Sequence, residues 1–432
     1  MYLTNRFYLA LTAVIVIIAA GYLLTTLFFI GRGLLLLFGL LCLVDACLLY
    51  GRRGIRASRR CSSRFSNGDD NDVRLLIEST YRFPLVVEVI DEVPVIFQQR
   101  DISFRACLAR QGEQTILYRL RPTHRGVYAF GFIRVFAATP LGLLQRRYTC
   151  GEPQDVKVYP GYLMLHQYEF LAIHNNLTEM GIKRIRRIGN NTEFEQIKDY
   201  VVGDDYRTIN WRATARRHQL MTNVYQQERS QQVFCIVDKG RVMQQAFRGM
   251  TLLDYAVNAS LVLSYVAIKK EDKAGLMTFA DHFDTYVPAQ RRQGQMQTLL
   301  DVLYAQQTQF GETDFSALCA NVNKHVSKRS LLILFTNFWG SVALHRQLPY
   351  LQQLNRRHRL LVVFFEDTEL SRYAASPSDS VEEHFRHVIA EKFIYEKRLI
   401  VNTLKQHGIA ALLTSPDSLT VDAINKYLEL RQ

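Results

Sequence analysis

The stretch "QVFCIVDKGR" (232–241) decides how this 432-residue chain is read. Five consecutive apolar residues (233–237) end on Asp238, and Lys239, Gly240 and Arg241 follow. A short run without polar alternation suits a strand covered on both faces, and Gly240 permits an immediate turn into the next element. Downstream, strand and helix patterns take turns. "TLLDYAVNASLVLSYVAIKK" (251–270) has helical spacing, "KAGLMTFA" (273–280) is strand-like, and "FDTYVPA" (283–289) is its paired neighbour. Helical patterns cover 294–305 and 314–326. "SLLILFTNF" (330–338) and "RLLVVFFED" (359–367) are strands flanking a helix at 344–356. A long helix over 380–408, a strand at 409–415 and a closing helix at 418–431 complete the pattern. Such alternation predicts an α/β, doubly wound parallel sheet over 231–432. Ligands on such sheets bind beyond the carboxyl ends of the strands. "DKGRVMQQAFRGM" (238–250) has neither dinucleotide-loop nor P-loop spacing, which argues against a nucleotide enzyme.

Upstream, residues 73–161 change to period two. In "VRLLIES" (73–79) Val73, Leu75 and Ile77 share a face, and Pro84, Pro94, Gly112, Pro122, Gly126, Pro140 and Gly142 punctuate later runs. This spacing predicts an antiparallel β-sandwich domain. No His, Cys or carboxylate cluster with ligand spacing lies within it, so it reads as a spacer or docking module. The segment 51–72 reads as a basic and polar linker, and 162–230 as a connecting segment.

The first fifty residues are membrane material. Residues 7–30 carry no charged side chain, and 34–50 carry only Asp45. Each run approaches the roughly 20 residues that cross a bilayer core as a helix. Together they predict a transmembrane helical hairpin over 1–50 with a turn at Gly31–Gly33 or a few residues earlier. A cleaved signal peptide fits less well, since the first run is long and a second follows at once. Residues 1–66 hold eight arginines against one acid. Arg6 precedes the hairpin and six arginines follow it, so both termini are expected in the cytoplasm, with the chain in the inner membrane. Asp45 lies near the expected interface, where water or Arg52 is within reach. Much of the net charge of +13 resides in residues 1–66 and 183–229, which suits topology and lipid headgroups rather than nucleic acid. Seven cysteines in unpaired spacings fit reduced thiols.

Between the two soluble domains stands "YVVGDDYRTINWRATARR" (200–217). Asp204 and Asp205 occupy N-cap and first-turn positions of an expected helix, and Arg216 and Arg217 its last turn, complementing the helix dipole at both ends. Ile209 with Ala213 and Trp211 with Ala215 face opposite sides, which predicts a helix sandwiched as a structural strap. Adjacent ionised acids at a helix start are poor general acids, and the interleaved acids argue against a nucleic-acid face.

"EFEQIKDYVVGDDYRTINWRATAR" (193–216) followed by "DKGRVM" (238–243) resembles the bacterial family called domain of unknown function 58. "VIDEVP", "RPTHRGVYAFG", "TPLGL", "VYP" and "GETDF" resemble it too. The motif residues are Gly203, Asp204, Asp205, Arg207, Asn210, Trp211, Ala215 and Arg216. The resemblance implies a von Willebrand factor type A-like domain at the C-terminal end and an association with AAA+ ATPases of the MoxR type. Type A modules often hold a divalent cation on Asp-x-Ser-x-Ser, a Thr and a later Asp. Carried over, Asp238 matches the first acid, Gly240 and Val242 replace both serines, Thr313 matches the threonine, and Asn337 stands in place of the second acid. Magnesium wants near-octahedral oxygen ligation, so no cofactor is expected; Asp238 and Thr313 are the ligands if any metal binds. The expected use of the rim (Asp238, Lys239, Gly240, Arg241, Thr313, Asp314 and Asn337) is protein docking by a non-enzymatic, membrane-anchored interaction protein. The alternatives are a metal-dependent ligand-binding module and, more distantly, an envelope enzyme, for which no nucleophile–base pair is visible.

Overall fold

The structure, a computed structural model, describes residues 2–21, 25–51, 54–98, 102–163, 165, 193–201, 206–226, 230–377 and 380–431. It divides into two compact units, 1–159 and 160–432.

The first unit opens with β1 (Tyr2–Leu3) and the helices Asn5–Ala20 and Thr25–Tyr50. The first helix ends at Ala20 and the second begins at Thr25, so Gly31 and Gly33 lie inside a helix and not in the expected turn. Gly31 instead lets the helices approach: a Cβ there would sit 2.7 Å from Ile18 Cγ1, the use of small residues common between membrane helices. Among the described residues, two helices are long and apolar enough to cross a bilayer, Thr26–Tyr50 and Leu252–Lys269. The latter is 72% buried inside the second unit and serves as its core, whereas Thr26–Tyr50 is 6% buried. Asn5–Ala20, at 16 residues, spans about 24 Å, short of the roughly 30 Å hydrocarbon core.

The strands that follow are β2 (Ile55–Cys61), β3 (Arg64–Ser66), β4 (Asn71–Ser79), β5 (Leu85–Asp91), β6 (Ser103–Leu108), β7 (Glu113–Leu120), β8 (Gly126–Phe130), β9 (Ile133–Ala138), β10 (Leu144–Cys150) and β11 (Gln154–Tyr159). They form sheets of order β1-β10-β9-β5-β6, β2-β4-β7 and β3-β11-β8. Leu75 and Ile77 of β4 pack with Val87 and Val89 of β5 and Val135 of β9 in one core, which holds two of the sheets face to face. The period-two pattern of β4 is obeyed: Val73, Leu75 and Ile77 are all buried. The expected linker at 51–72 is not one. Its residues build β2 and β3, because Ile55 and Ala57 alternate inward and Arg59 pairs with buried Asp91 beneath the Phe130 ring. That arginine is therefore withdrawn from any lipid-facing role.

Both outer ends of the helical pair are tied into this unit. Tyr2 and Leu3 pair antiparallel with Gln145 and Leu144, and the Leu49 carbonyl accepts from Tyr81 Oη at 2.7 Å and Arg146 Nη1 at 2.6 Å. Asp45 does not reach water. It is fully buried, accepting hydrogen bonds from Thr139 Oγ1, Leu143 N (3.2 Å) and Leu144 N (2.9 Å).

In the second unit, β12 (Glu193–Asp199) pairs antiparallel with β13 (Met221–Gln226). The main sheet comprises β14 (Gln232–Asp238), β17 (Lys273–Phe279), β18 (Phe283–Gln290), β19 (Leu331–Phe335), β20 (Arg359–Phe365) and β21 (Ala410–Thr414); the small pair β15 (Ala246–Phe247) and β16 (Met250–Thr251) stands apart. Its order is β18-β17-β14-β19-β20-β21, parallel except for antiparallel β18. Helices Leu252–Lys269, Gln295–Tyr304 and Leu419–Leu430 cover one face. Phe315–His325, Ser341–Arg357 and Val381–Gln406 cover the other. Both faces of β14 are thus buried, as its unbroken apolar run requires. The chain leaves β14 for β17 on one side and later crosses to β19 on the other, so the crevice of a doubly wound sheet opens at its carboxyl end, where Asp238 stands.

The expected helix beginning at Asp204 starts later. Gly203, Asp204 and Asp205 lie outside the described residues. The helix runs Trp211–Arg217, capped by Asn210, whose Oδ1 accepts from Ala213 N at 3.0 Å. Arg216 and Arg217 do fill its last turn. None of its residues is buried and Trp211 is 70% exposed, so this is not a sandwiched strap: Ala213 is half-buried and Ala215 exposed. Ile209 instead bridges to Thr222 of β13. Arg207 falls in a short turn before it.

Candidate functional site: the carboxyl end of the first parallel strand

Asp238 is fully buried, and both of its oxygens are engaged. Oδ1 accepts from Gly240 N (2.8 Å) and Thr313 Oγ1 (2.9 Å), and Oδ2 accepts from Thr336 Oγ1 (2.6 Å). The loop carrying Thr313 is held by the backbone, Arg241 N donating to Gly311 O at 3.1 Å and Gln309 N to Lys239 O at 2.8 Å. Thr336 was invisible to motif reasoning. Its signal lay in its place, directly after the apolar run of β19, which neighbours β14.

The other rim residues separate. Lys239 does not add charge to this mouth: it is 4% exposed and donates to Asp284 Oδ2 at 2.6 Å. Thr278 and Thr285 also donate to Asp284, and with the Lys239 bond as the largest cause its carboxyl is held below the usual range. Asp314 is the N-cap of the helix Phe315–His325, accepting from Ser316 N and Ala317 N. Asn337 turns its amide oxygen toward Lys397 Nζ and Phe338 N, away from any shared ligation with Asp238. Arg241 is exposed. With Asp238, Thr313, Thr336, Trp339 and Arg346 it lines a cavity of about 350 Å³.

This donor set does not fit a divalent cation. A Cβ on Gly240 would lie 2.2 Å from Thr313 Oγ1, so the position has no room for a ligating serine without breaking the Thr313–Asp238 bond. One carboxylate and two hydroxyls converge, well short of octahedral oxygen ligation. Among the described residues no group of three or more His, Cys, Asp or Glu is placed to hold a metal.

Burial pushes the Asp238 carboxyl up to about 6, against its three hydrogen bonds, which favour the ionised form. The folded state therefore keeps a proton that the unfolded chain releases near about 3.9. Stability from this group is fully present below about pH 4 and is lost as pH rises to about 6, then stays level. Its size is on the order of 3 kcal/mol. Asp238→Asn removes the ionisation, and denaturant midpoints at several pH values should lose this downward slope. Parallel slopes in the two proteins would refute the assignment.

The chain is 27% identical over 235 residues to the uncharacterized protein YeaD of Bacillus subtilis (strain 168), covering 53% of this chain and 56% of that protein. The match thus spans about half of that relative's length. Among solved structures, the conserved hypothetical protein BatB of Bacteroides thetaiotaomicron aligns with TM-score 0.32 and 11% identity, covering 47% of this chain and 98% of that one. A CARDB domain from Pyrococcus furiosus aligns with TM-score 0.20 and 10% identity, covering 24% and 91%. Residues 196–373, which contain the Trp211 helix and every rim residue around Asp238, match the model of the family described as protein of unknown function DUF58.

Proposed function

We propose that the chain is a membrane-anchored, non-enzymatic interaction protein that offers the rim around Asp238, on a type A-like domain, to a cytoplasmic partner, an AAA+ ATPase of the MoxR type. One observation carries the docking reading: the Asp238 oxygens are all bonded inside the protein, while Phe310 and Trp339 stand 83% and 66% exposed on the surrounding loops. Large exposed apolar groups around a polar floor mark interaction surfaces. Tryptophan and arginine, present here as Trp339, Arg241 and Arg346, are the residue types that dominate interface energies. The strand order, with an antiparallel edge strand, supports the type A-like reading. Anchoring is supported by the apolar helix Thr26–Tyr50 and by the ties at Tyr2 and Leu49, which hold the outer ends of both N-terminal helices to the same β unit. The arginine excess supports a cytoplasmic side for that unit at a bacterial inner membrane.

Purification of natively expressed chain from detergent tests this. The ATPase is expected with the wild type and reduced about tenfold with Trp339→Ala, the scale of an interface anchor. An empty wild-type eluate defeats the reading. Calorimetry with magnesium or manganese should show no micromolar binding; such binding, abolished in Asp238→Ala, would favour the metal-dependent module instead.

A further inference from the structure

A second cavity, about 370 Å³, opens beyond the carboxyl ends of β19, β20 and β21. It lies within the size range of built ligand pockets. Five aromatic rings wall it: Phe247, Phe338, Trp339, Phe365 and Phe393. Its charged lining is unequal. Glu366, Asp367 and Glu369 face a single cation, Lys397. Asp367 is fixed by bonds from Glu369 N (3.1 Å), Leu370 N (2.9 Å) and Gln245 Nε2 (3.0 Å). Lys397 is already engaged with the Asn337 amide oxygen. The pocket is therefore net negative and aromatic, on a chain whose overall charge is +13.

We infer that this cavity is a socket for an arginine side chain of a protein partner, its guanidinium stacked on the aromatic walls and paired with the Glu366 and Glu369 carboxylates. Ring faces attract cations. A planar guanidinium also stacks and pairs with carboxylates in a way that a compact ammonium does not. A carboxylate guest would meet three like charges. A neutral apolar guest would leave the acidic mouth without a counter-charge. Asn337, Phe338 and Trp339 border both cavities, but Glu366 and Glu369 line only this one, so the inference rests on charges that the Asp238 rim does not share.

The two tryptophans of the chain are Trp211 and Trp339, so a Trp211→Phe background makes emission a report on this pocket. Full-length protein in detergent would be titrated with capped pentapeptides carrying a central arginine, lysine, citrulline or glutamate between leucines. Saturable arginine binding is expected, with citrulline at least about tenfold weaker and glutamate weaker still. The lysine peptide should fall between arginine and citrulline. Glu366→Gln with Glu369→Gln should weaken arginine binding about tenfold while leaving the unfolding midpoint unchanged. Equal binding of citrulline and arginine, preference for glutamate, or indifference to the double glutamine variant would each overturn the assignment. So would the absence of saturable arginine binding. Failure here leaves the ATPase co-purification result untouched, and that experiment can fail while this one succeeds.

Discussion

Asp45→Ala is expected to destabilise the first unit by about 4 kcal/mol, because it leaves two backbone N–H groups and a hydroxyl without their acceptor. The carboxylate sits at the foot of the helix Thr25–Tyr50 and closes the β9–β10 turn through Thr139, Leu143 and Leu144. Each buried donor left unsatisfied costs about 1–3 kcal/mol. The same turn carries the Thr4 contacts: Thr4 N donates to Leu143 O at 3.2 Å, and Thr4 Oγ1 to Gly142 O at 2.5 Å. Losing Asp45 should therefore loosen the outer ends of both N-terminal helices, the start of Asn5–Ala20 and the end of Thr25–Tyr50. Hydrogen exchange at Leu143 and Leu144 should rise steeply, and Thr139→Val should cost only about 1 kcal/mol. Unchanged exchange at both amides in Asp45→Ala would show that the carboxylate is a bystander.

The second large effect lies at the other end of the chain. Asp272 is fully buried and accepts from Gln231 N (3.0 Å), from Tyr427 Oη, and from Arg431 Nε (2.7 Å) and Nη2 (3.3 Å). It binds the start of β14 and the closing helix Leu419–Leu430 to the same loop. Burial and the neighbouring Asp272 charge push the Tyr427 phenol far above its ordinary range, so it remains a donor at every practical pH. Asp272→Ala leaves Gln231 N, the Tyr427 hydroxyl and the half-buried Arg431 guanidinium without their acceptor and should cost about 3 kcal/mol. Chemical unfolding would measure it, and early proteolysis within the last helix would show where the damage falls. An unshifted midpoint, with the last helix still protected, would mean that the apolar contacts of Tyr427 and Leu430 suffice alone.

How much of this was legible depends on the range of the interaction. Helices expected at 294–305, 314–326 and 380–408 are found as Gln295–Tyr304, Phe315–His325 and Val381–Gln406. Their apolar spacing and their caps, such as Asp314 and Ser380, are local in sequence. The place of the hairpin turn was open between Gly31–Gly33 and an earlier position, because Gly31 can serve a turn or a close helix crossing and only the partner residue Ile18 distinguishes them. The 51–72 segment was misread because its arginines dominate its composition while Ile55, Ala57 and Phe65 supply the inward-facing side chains. The Asp204 start was misplaced because Asn210 offers an equally good cap closer to the helix.

By itself the sequence determined the periodicities: the apolar N-terminal stretch, the alternating strands, and the parallel sheet with Asp238 at the tip of its first strand. These depend on neighbours within a few residues. Only the tertiary structure decided which charges are spent. It turned Lys239 to Asp284, Asn337 to Lys397, and Thr336 to Asp238, and it drew Asp45 out of water into the β9–β10 turn. Each of these contacts joins residues 45 to 98 positions apart, and whether a charge is free at a surface is set by what the fold brings beside it.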